Sequence, residues 1–259
     1  MTAIPSIISR TFRVGGAVLL LFIVWDGAAR MSMLPESLSA PSQILRYAIL
    51  HFDIVAFHLP ATVYAAACGF AWAFAVGLAL GAIMFIWPRA ADGFASVAVV
   101  ISSIPLIALT PLFVAFIGSG SATRSLVAAL ASFFPIVIAV AQSAKSMDES
   151  IVELFRMANA NRWTLFLRYG LPSSLPFLFS GLKIAAPSAV LATVIAEWAG
   201  SNRGIGLLIV QSMFASNAVQ TWCAILACCV IALLSYVAVV IAEWIVDRRF
   251  GLGLAGGSA

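Results

Sequence analysis

Long apolar stretches separated by short polar clusters organise this chain. Six of them are long enough to cross a bilayer as helices: about Val14 to Met33, Leu59 to Trp87, Phe94 to Ile117, Ser125 to Ser143, Leu175 to Trp198 and Ala218 to Ile245. At about 1.5 Å rise per residue, about 20 such residues cover a hydrocarbon core of about 30 Å. The connection Leu34 to His58, with Pro35, Ser37, Ser39, Pro41 and Ser42, is looser and predicts an extramembrane segment holding a short interfacial helix.

One segment departs from this grammar. From Lys145 to Pro172 charges return and the period becomes amphipathic: Ile151, Leu154, Phe155 and Ala158 fall on one helical face, with Asp148, Glu149, Glu153 and Arg156 on the other. Ser150 with Glu153 has the spacing of a capping box, and Ser146 with Glu149 offers a start one turn earlier. Asn159-Ala160-Asn161 predicts a stop, because asparagine competes for local backbone bonds and tolerates left-handed geometry. A second short helix, Arg162 to Tyr169, is expected to end at Gly170-Leu171-Pro172. Periodicity alone leaves two readings of this island: a helix lying on the membrane surface, or a knob that docks a soluble partner.

Composition agrees with a polytopic all-α membrane protein. Of 259 residues, 63% are apolar and 9% charged, against about 45–50% and about 25% in soluble domains. No independent soluble domain fits. The expected organisation is an N-terminal helix and external connection over 1–58, a transmembrane core over 59–249 containing the loop 145–172, and a cytoplasmic tail over 250–259. The net charge of +4 is scattered along the chain, which argues against nucleic-acid binding. Arg10 and Arg13 before an apolar run resemble a signal peptide, but Asp26 to Arg30 makes a poor cleavage site, so an uncleaved first span is expected. Cys68, Cys223, Cys228 and Cys229 lie in apolar runs without metal-site or disulfide spacing and read as small packing residues.

Charge distribution carries the topology. With a cytoplasmic N-terminus, nine basic residues (Arg10, Arg13, Arg89, Lys145, Arg156, Arg162, Arg168, Arg248, Arg249) lie inside and four (Arg30, Arg46, Arg124, Arg203) outside. Both termini and the charged island are thereby expected in the cytoplasm. Lys183, in the fifth span, is expected to snorkel inward. Glu243 and Asp247 are expected to pair locally with Arg248 and Arg249.

Within the spans, Gly77 and Gly81 form a G-x-x-x-G pair that predicts close helix crossing. Pro105 and Pro111 interrupt the third span, and with Ser102, Ser103 and Thr110 beside them this segment is either a candidate wall or gate of a transport path or a merely bent helix whose hydroxyls bond their own helix carbonyls. Glu197, near the outer end of the fifth span, is either an outer gate element or a bond that fixes the loop Gly204-Ile205-Gly206. His51, Asp53 and His58 match no metal spacing and read as structural; Gly118 to Ser121 reads as an external turn.

The order Glu153, Arg162, Trp163, Leu165, Phe166, Arg168, Leu171, Pro172, Leu175, Pro176, Gly181, Leu182, Lys183, Ile184, Ala185 resembles the EAA loop of the binding-protein-dependent permeases, the membrane subunits of type I ABC importers. Thr62 to Gly81, Ile104 to Leu112, Val194 to Glu197 and Gly204 to Gly206 are similar to the nitrate, sulfonate and taurine branch. The likeness covers about Thr62 to Arg249. The chain departs from it in reading Glu153-Leu154-Phe155 where the family has Glu-Ala-Ala, and Asn159 where it has glycine.

The resemblance implies a type I importer permease fold with two short cytoplasmic coupling helices, in a bacterial inner membrane. It implies that Glu153, Leu154, Phe155, Ala158, Asn159 and Arg162 dock a cytoplasmic ATPase. No G-x-x-x-x-G-K-[ST] occurs, so the chain itself is expected to be no enzyme, with ATP and Mg2+ bound on two partner subunits. A second permease copy and an external substrate-binding protein complete the implied assembly. Sulfonates, taurine, nitrate, cyanate, aromatic acids and thiamine-precursor pyrimidines are all compatible solutes. An ATPase-independent secondary transporter or channel is the competing class, and would predict hydropathy repeats or paired intramembrane charges.

Overall fold

The computed structural model describes Gly16, residues 19–31, Met33, Pro35 and residues 37–250; Arg10, Arg13 and the tail 251–259 lie outside the described residues. Among the described residues all regular structure is helical. In chain order the helices are α1 (19–30), α2 (Pro41–Leu50), α3 (Phe52–Ile86), α4 (Ala90–Ser102), α5 (Leu106–Ile117), α6 (Ser121–Lys145), α7 (Glu149–Met157), α8 (Arg162–Leu165), α9 (Leu171–Trp198), α10 (Ile205–Phe214) and α11 (Ala218–Phe250), with a π-helical turn Phe166–Gly170 joining α8 to α9.

Four stretches are long and apolar enough to cross a membrane: Phe52–Ile86, Ser121–Lys145, Arg162–Trp198 and Ala218–Arg249. The pair α4 and α5, bent by 84°, is long and apolar enough for a fifth when the two are taken together. These are the predicted second to sixth spans, and the expected polytopic all-α class is what the chain adopts. Of the first predicted span, 19–30 is helical, while 14, 15, 17, 18 and 32 lie outside the described residues.

The sharp bend has an identifiable cause. Pro105 lacks an N–H and biases Ile104 away from helical geometry, and Pro105 itself is extended, with φ −66° and ψ 109°. Pro111 lies inside α5 without ending it. The two prolines that look alike in sequence therefore differ in effect.

The chain divides into two compact units, the described parts of Met1–Phe57 with Leu208–Leu226, and of His58–Leu207 with Ala227–Ala259. In the first unit the expected interfacial helix is present as α2. The Asp26 carboxylate accepts a hydrogen bond from the Ser42 N–H at its start (2.9 Å). Trp222 donates from its indole to the Ser37 carbonyl (2.8 Å) and packs edge-on against Trp25.

The second unit is built on α3, α6 and α9. Its core includes Met84, Ile136, Val137, Leu178, Phe179, Leu182 and Ala185. In lipid, helices gain little hydrophobic driving force from one another, so close van der Waals approach has to hold them. The glycines supply it. A Cβ on Gly77 would stand 2.3 Å from Ile136, on Gly81 2.5 Å from Val140, and on Gly69 2.5 Å from Ala128, all on α6. From α9, a Cβ on Gly181 would meet Ala139 of α6 at 2.5 Å. Between these contacts the Ser132 hydroxyl donates to the Ala185 carbonyl (3.1 Å).

Several local expectations change. Lys183 does not snorkel free: its ammonium pairs with Glu243 on α11 at 2.5 Å, so Glu243 is joined across helices rather than to Arg248 or Arg249. Inside a membrane an opposite charge on a neighbouring helix outweighs an exposed local pair. Arg248 lies over the Trp244 ring, 5.3 Å from its centroid. Gly204 to Gly206 is not simply a loop, since Ile205 begins the apolar helix α10. Cys223 and Cys228 are buried, but Cys229 is exposed.

Candidate functional site

The charged island folds as two short helices set on the ends of long ones. Asp148, not Ser150, is the N-cap of α7: its carboxylate accepts from the Ser150 N–H at 2.9 Å, so the helix starts at Glu149. Aspartate is among the best N-caps, and its charge suits the positive end of the helix dipole. The helix ends where expected, with Asn159 at φ 53°. Asn161 then caps α8, accepting from the Thr164 N–H at 2.7 Å.

The apolar face of α7 divides on folding. Ile151, Val152 and Phe155 are half-buried, whereas Leu154 is 58% and Met157 76% exposed, beside exposed Glu153, Arg156, Ala158 and Asn159. The surface presented is thus a mixed knob: two large apolar side chains ringed by both signs of charge.

The second helix does not stop at Gly170-Leu171-Pro172. Leu171 donates its N–H five residues back to the Phe166 carbonyl, and the chain runs on without a break from Arg162 to Trp198. The π turn widens the spiral just ahead of Pro172, which is how a residue without an N–H is accommodated inside a helix that does not end there.

This end is also wired to its neighbours. Phe85, near the end of α3, sits against Gly170 so closely that a Cβ there would lie 2.0 Å from the ring, and it meets Phe166 edge-on with centroids 5.0 Å apart. Arg162 donates to the Ile86 carbonyl at 2.7 Å. The Tyr169 hydroxyl accepts from the Asp148 N–H at 3.1 Å, and Lys145 pairs with Asp92.

At the opposite ends of the same helices lies a buried polar node. Glu197, fully buried at the end of α9, accepts from the Thr62 hydroxyl at 2.8 and 3.1 Å, from the Gly206 N–H at 2.7 Å and from Arg124 at 3.5 Å. Thr62 in turn accepts from the Ile205 N–H at 2.8 Å, and His58 accepts at Nδ1 from the Gly204 N–H at 3.1 Å. Arg124 also donates to the Arg203 carbonyl at 2.7 Å. Gly204 has φ 147°, and a Cβ there would fall 2.1 Å from the Glu197 carboxylate. Only glycine fits on both counts. An isolated buried carboxylate costs several kcal/mol, and this one is tolerated because a hydroxyl, a backbone N–H and a guanidinium converge on it.

The sequence profile of the binding-protein-dependent transport system inner membrane component matches residues 73–251. The chain belongs to that family. Among its relatives, the formylaminopyrimidine transport permease protein ThiX of Halalkalibacterium halodurans is 35% identical over 189 residues, 73% of this chain and 76% of the relative. A probable ABC transporter permease protein of Haemophilus influenzae is 26% identical over 230 residues, 88% of this chain and 92% of its own. An SsuC protein of Bacillus subtilis, named for aliphatic sulfonate transport, is 28% identical over 155 residues, 60% of this chain and 56% of its own.

In this permease the hydroxyls singled out near the bend are turned to their own helices. Ser102 and Ser103 both donate to the Val99 carbonyl, at 2.8 and 2.9 Å, and Thr110 donates to Leu106 at 2.7 Å. Ser102, Ser103, Ile104 and Pro105 are nevertheless exposed where α4 and α5 part, whereas Thr110 and Glu197 are buried.

Thr62, His58 and Arg124 are the partners that reading the sequence for sites missed. The available signal was positional: Arg124 and Glu197 sit at predicted span ends on one side of the membrane, and opposite charges so placed tend to meet.

Proposed function

We propose that this permease is the membrane-spanning subunit of an ATP-binding cassette importer, moving a small solute, a sulfonate-, taurine- or nitrate-like anion or a related small organic molecule, handed over by an external binding protein. The single observation that carries the mechanism is the mixed knob on α7: Leu154 and Met157 stand exposed between two spans, one tight turn ahead of the helix that runs uninterrupted from Arg162 to Trp198. Such a surface suits the groove of a separate ATPase better than a bilayer interface, because exposed Glu153 and Arg156 flank the apolar pair.

Glu153, Leu154, Ala158 and Asn159 form the docking face and Phe155 supports it from beneath. Two ATPase subunits, with ATP and Mg2+, and a second permease copy complete the assembly. The island and both termini face the cytoplasm of a bacterial inner membrane, following the excess of basic residues there. ATP-driven closure supplies the differential binding between inward- and outward-open states that any such switch requires. The path runs past the bend at Ser102, Ser103 and Pro105, with Thr110 behind it, and Glu197 holds the outer end. Relatives named for formylaminopyrimidine and aliphatic sulfonate transport favour a sulfonate-like or pyrimidine-like solute.

The test is purification of the tagged permease with its partners, followed by ATPase assays with binding protein loaded from a panel of sulfonates, taurine, nitrate and formylaminopyrimidines. One of them is expected to stimulate hydrolysis. Glu153→Lys is expected to weaken ATPase association while leaving membrane insertion intact. A chain that never co-purifies with an ATPase, yet transports alone in liposomes, refutes the proposal.

A further inference from the structure

The island is attached to more than the two spans it connects. α6 leads into it and α9 leads out, but it also packs against the end of α3, which is distant in sequence. Phe85 fills a notch that exists because residue 170 has no side chain, its ring lies edge-on to Phe166, and Arg162 closes the end of α3 by donating to the Ile86 carbonyl. All of these island residues lie on α8 or the π turn. The π turn is what aims Gly170 at the ring, since an extra residue in the spiral rotates every side before it relative to α9.

We propose that Phe85, Gly170 and Arg162 form a mechanical joint that delivers movement of the island to α3, and that they are positioning residues rather than part of the ATPase-docking face. The proposal rests on the importer reading above. About three turns in from its other end α3 carries Thr62, which is bonded to Glu197 of α9. α3 and α9 are thus tied near both ends, and α6 is interlocked with each of them through the glycine contacts. A displacement of the island cannot tilt α9 alone. It must carry α3 with it, and the exposed break between α4 and α5 is left as the place where the unit yields.

The chemistry of the joint explains its fitness for this task. The half-buried Phe85 ring stands directly against the backbone at residue 170 with no side chain between them, so movement of the π turn toward α3 meets the ring at once. The Arg162 bond adds direction at the end of α3, where the last carbonyls have no partner within the helix.

The experiment uses the assembled complex in proteoliposomes and reads solute moved per ATP hydrolysed. Phe85→Ala is expected to retain ATPase association and basal hydrolysis, and to lower transport per ATP by about threefold or more, the range seen when coupling elements are weakened. Gly170→Ala, which drives a methyl into the ring, is expected to do the same, and the pair Phe85→Leu with Gly170→Ala to recover part of the loss by restoring the fit. A general loss of stability would lower yield without this compensation. Phe85→Ala transporting at the wild-type ratio overturns the proposal, as does loss of ATPase association matching that of Glu153→Lys. If Phe85→Ala does not accumulate, Phe85→Leu decides on the same readout. A wild-type chain that binds no ATPase refutes the importer reading itself, a separate outcome.

Discussion

Replacing Glu197 by alanine is expected to be the most damaging single change at the buried node. The substitution leaves the Gly206 N–H without its acceptor, removes the acceptor for the Thr62 hydroxyl, and strands the Arg124 guanidinium in a pocket where its side chain is only 12% exposed. Breaking a buried charge pair from one side costs about 3–5 kcal/mol. The pair distance of 3.5 Å and the residual solvent access of Arg124 argue for the lower end, about 3 kcal/mol. With about 2–4 °C of melting temperature per kcal/mol in a domain of this size, the midpoint should fall by about 6–12 °C. The assay is thermal unfolding of the detergent-purified permease followed by tryptophan fluorescence, Trp198 being the neighbour of the altered residue. Adding Arg124→Met should restore part of the loss, since the uncompensated charge is then gone. Glu197→Ala melting with the wild type, or a double variant no better than the single one, would show that the carboxylate does not hold this end of the molecule.

Three further outcomes are expected. Gly77→Ala should cost about 1–3 kcal/mol through overpacking against Ile136, and Ile136→Ala should relieve it in the double variant, both read from the melting midpoint. Lys183→Met should destabilise by about 1–3 kcal/mol by leaving Glu243 unpaired within the helices; Lys183→Met with Glu243→Leu should be closer to wild type, and an equally unstable double variant would refute the pairing. Asn159→Gly should keep transport and gain up to about 1 kcal/mol, because φ 53° suits glycine, whereas Asn159→Val should lose transport.

The spans were legible in the sequence because a bilayer imposes a length on any apolar helix, and a proline before a helical run constrains its neighbour regardless of tertiary context. The Pro105 bend and the stop at Asn159 followed from such local rules. What local rules missed was competition among them. Ser150 satisfied a capping pattern, but Asp148, two residues earlier, takes the cap by accepting from the N–H of Ser150 itself. Gly170-Leu171-Pro172 reads as a terminator in an α-helix, yet a π turn admits it. The Glu197 node depended on partners 135 and 73 residues away; no local period reports such pairings. Lys183 and Glu243 each have a local solution in sequence, snorkelling for one and a neighbouring arginine for the other, and only the packing of α9 against α11 brings them to each other.

The glycine contacts along α6 have a consequence for how such sequences diverge. Each glycine is matched to one bulky or one small neighbour: Gly77 to Ile136, Gly81 to Val140, Gly181 to Ala139. A change at either member alone meets a wall or leaves a gap, so the two are expected to drift together across descendants of this chain. A collection of related sequences should carry a ladder of correlated substitutions between positions 69 to 81 and 128 to 140, with side-chain volume conserved in each pair while identity is lost.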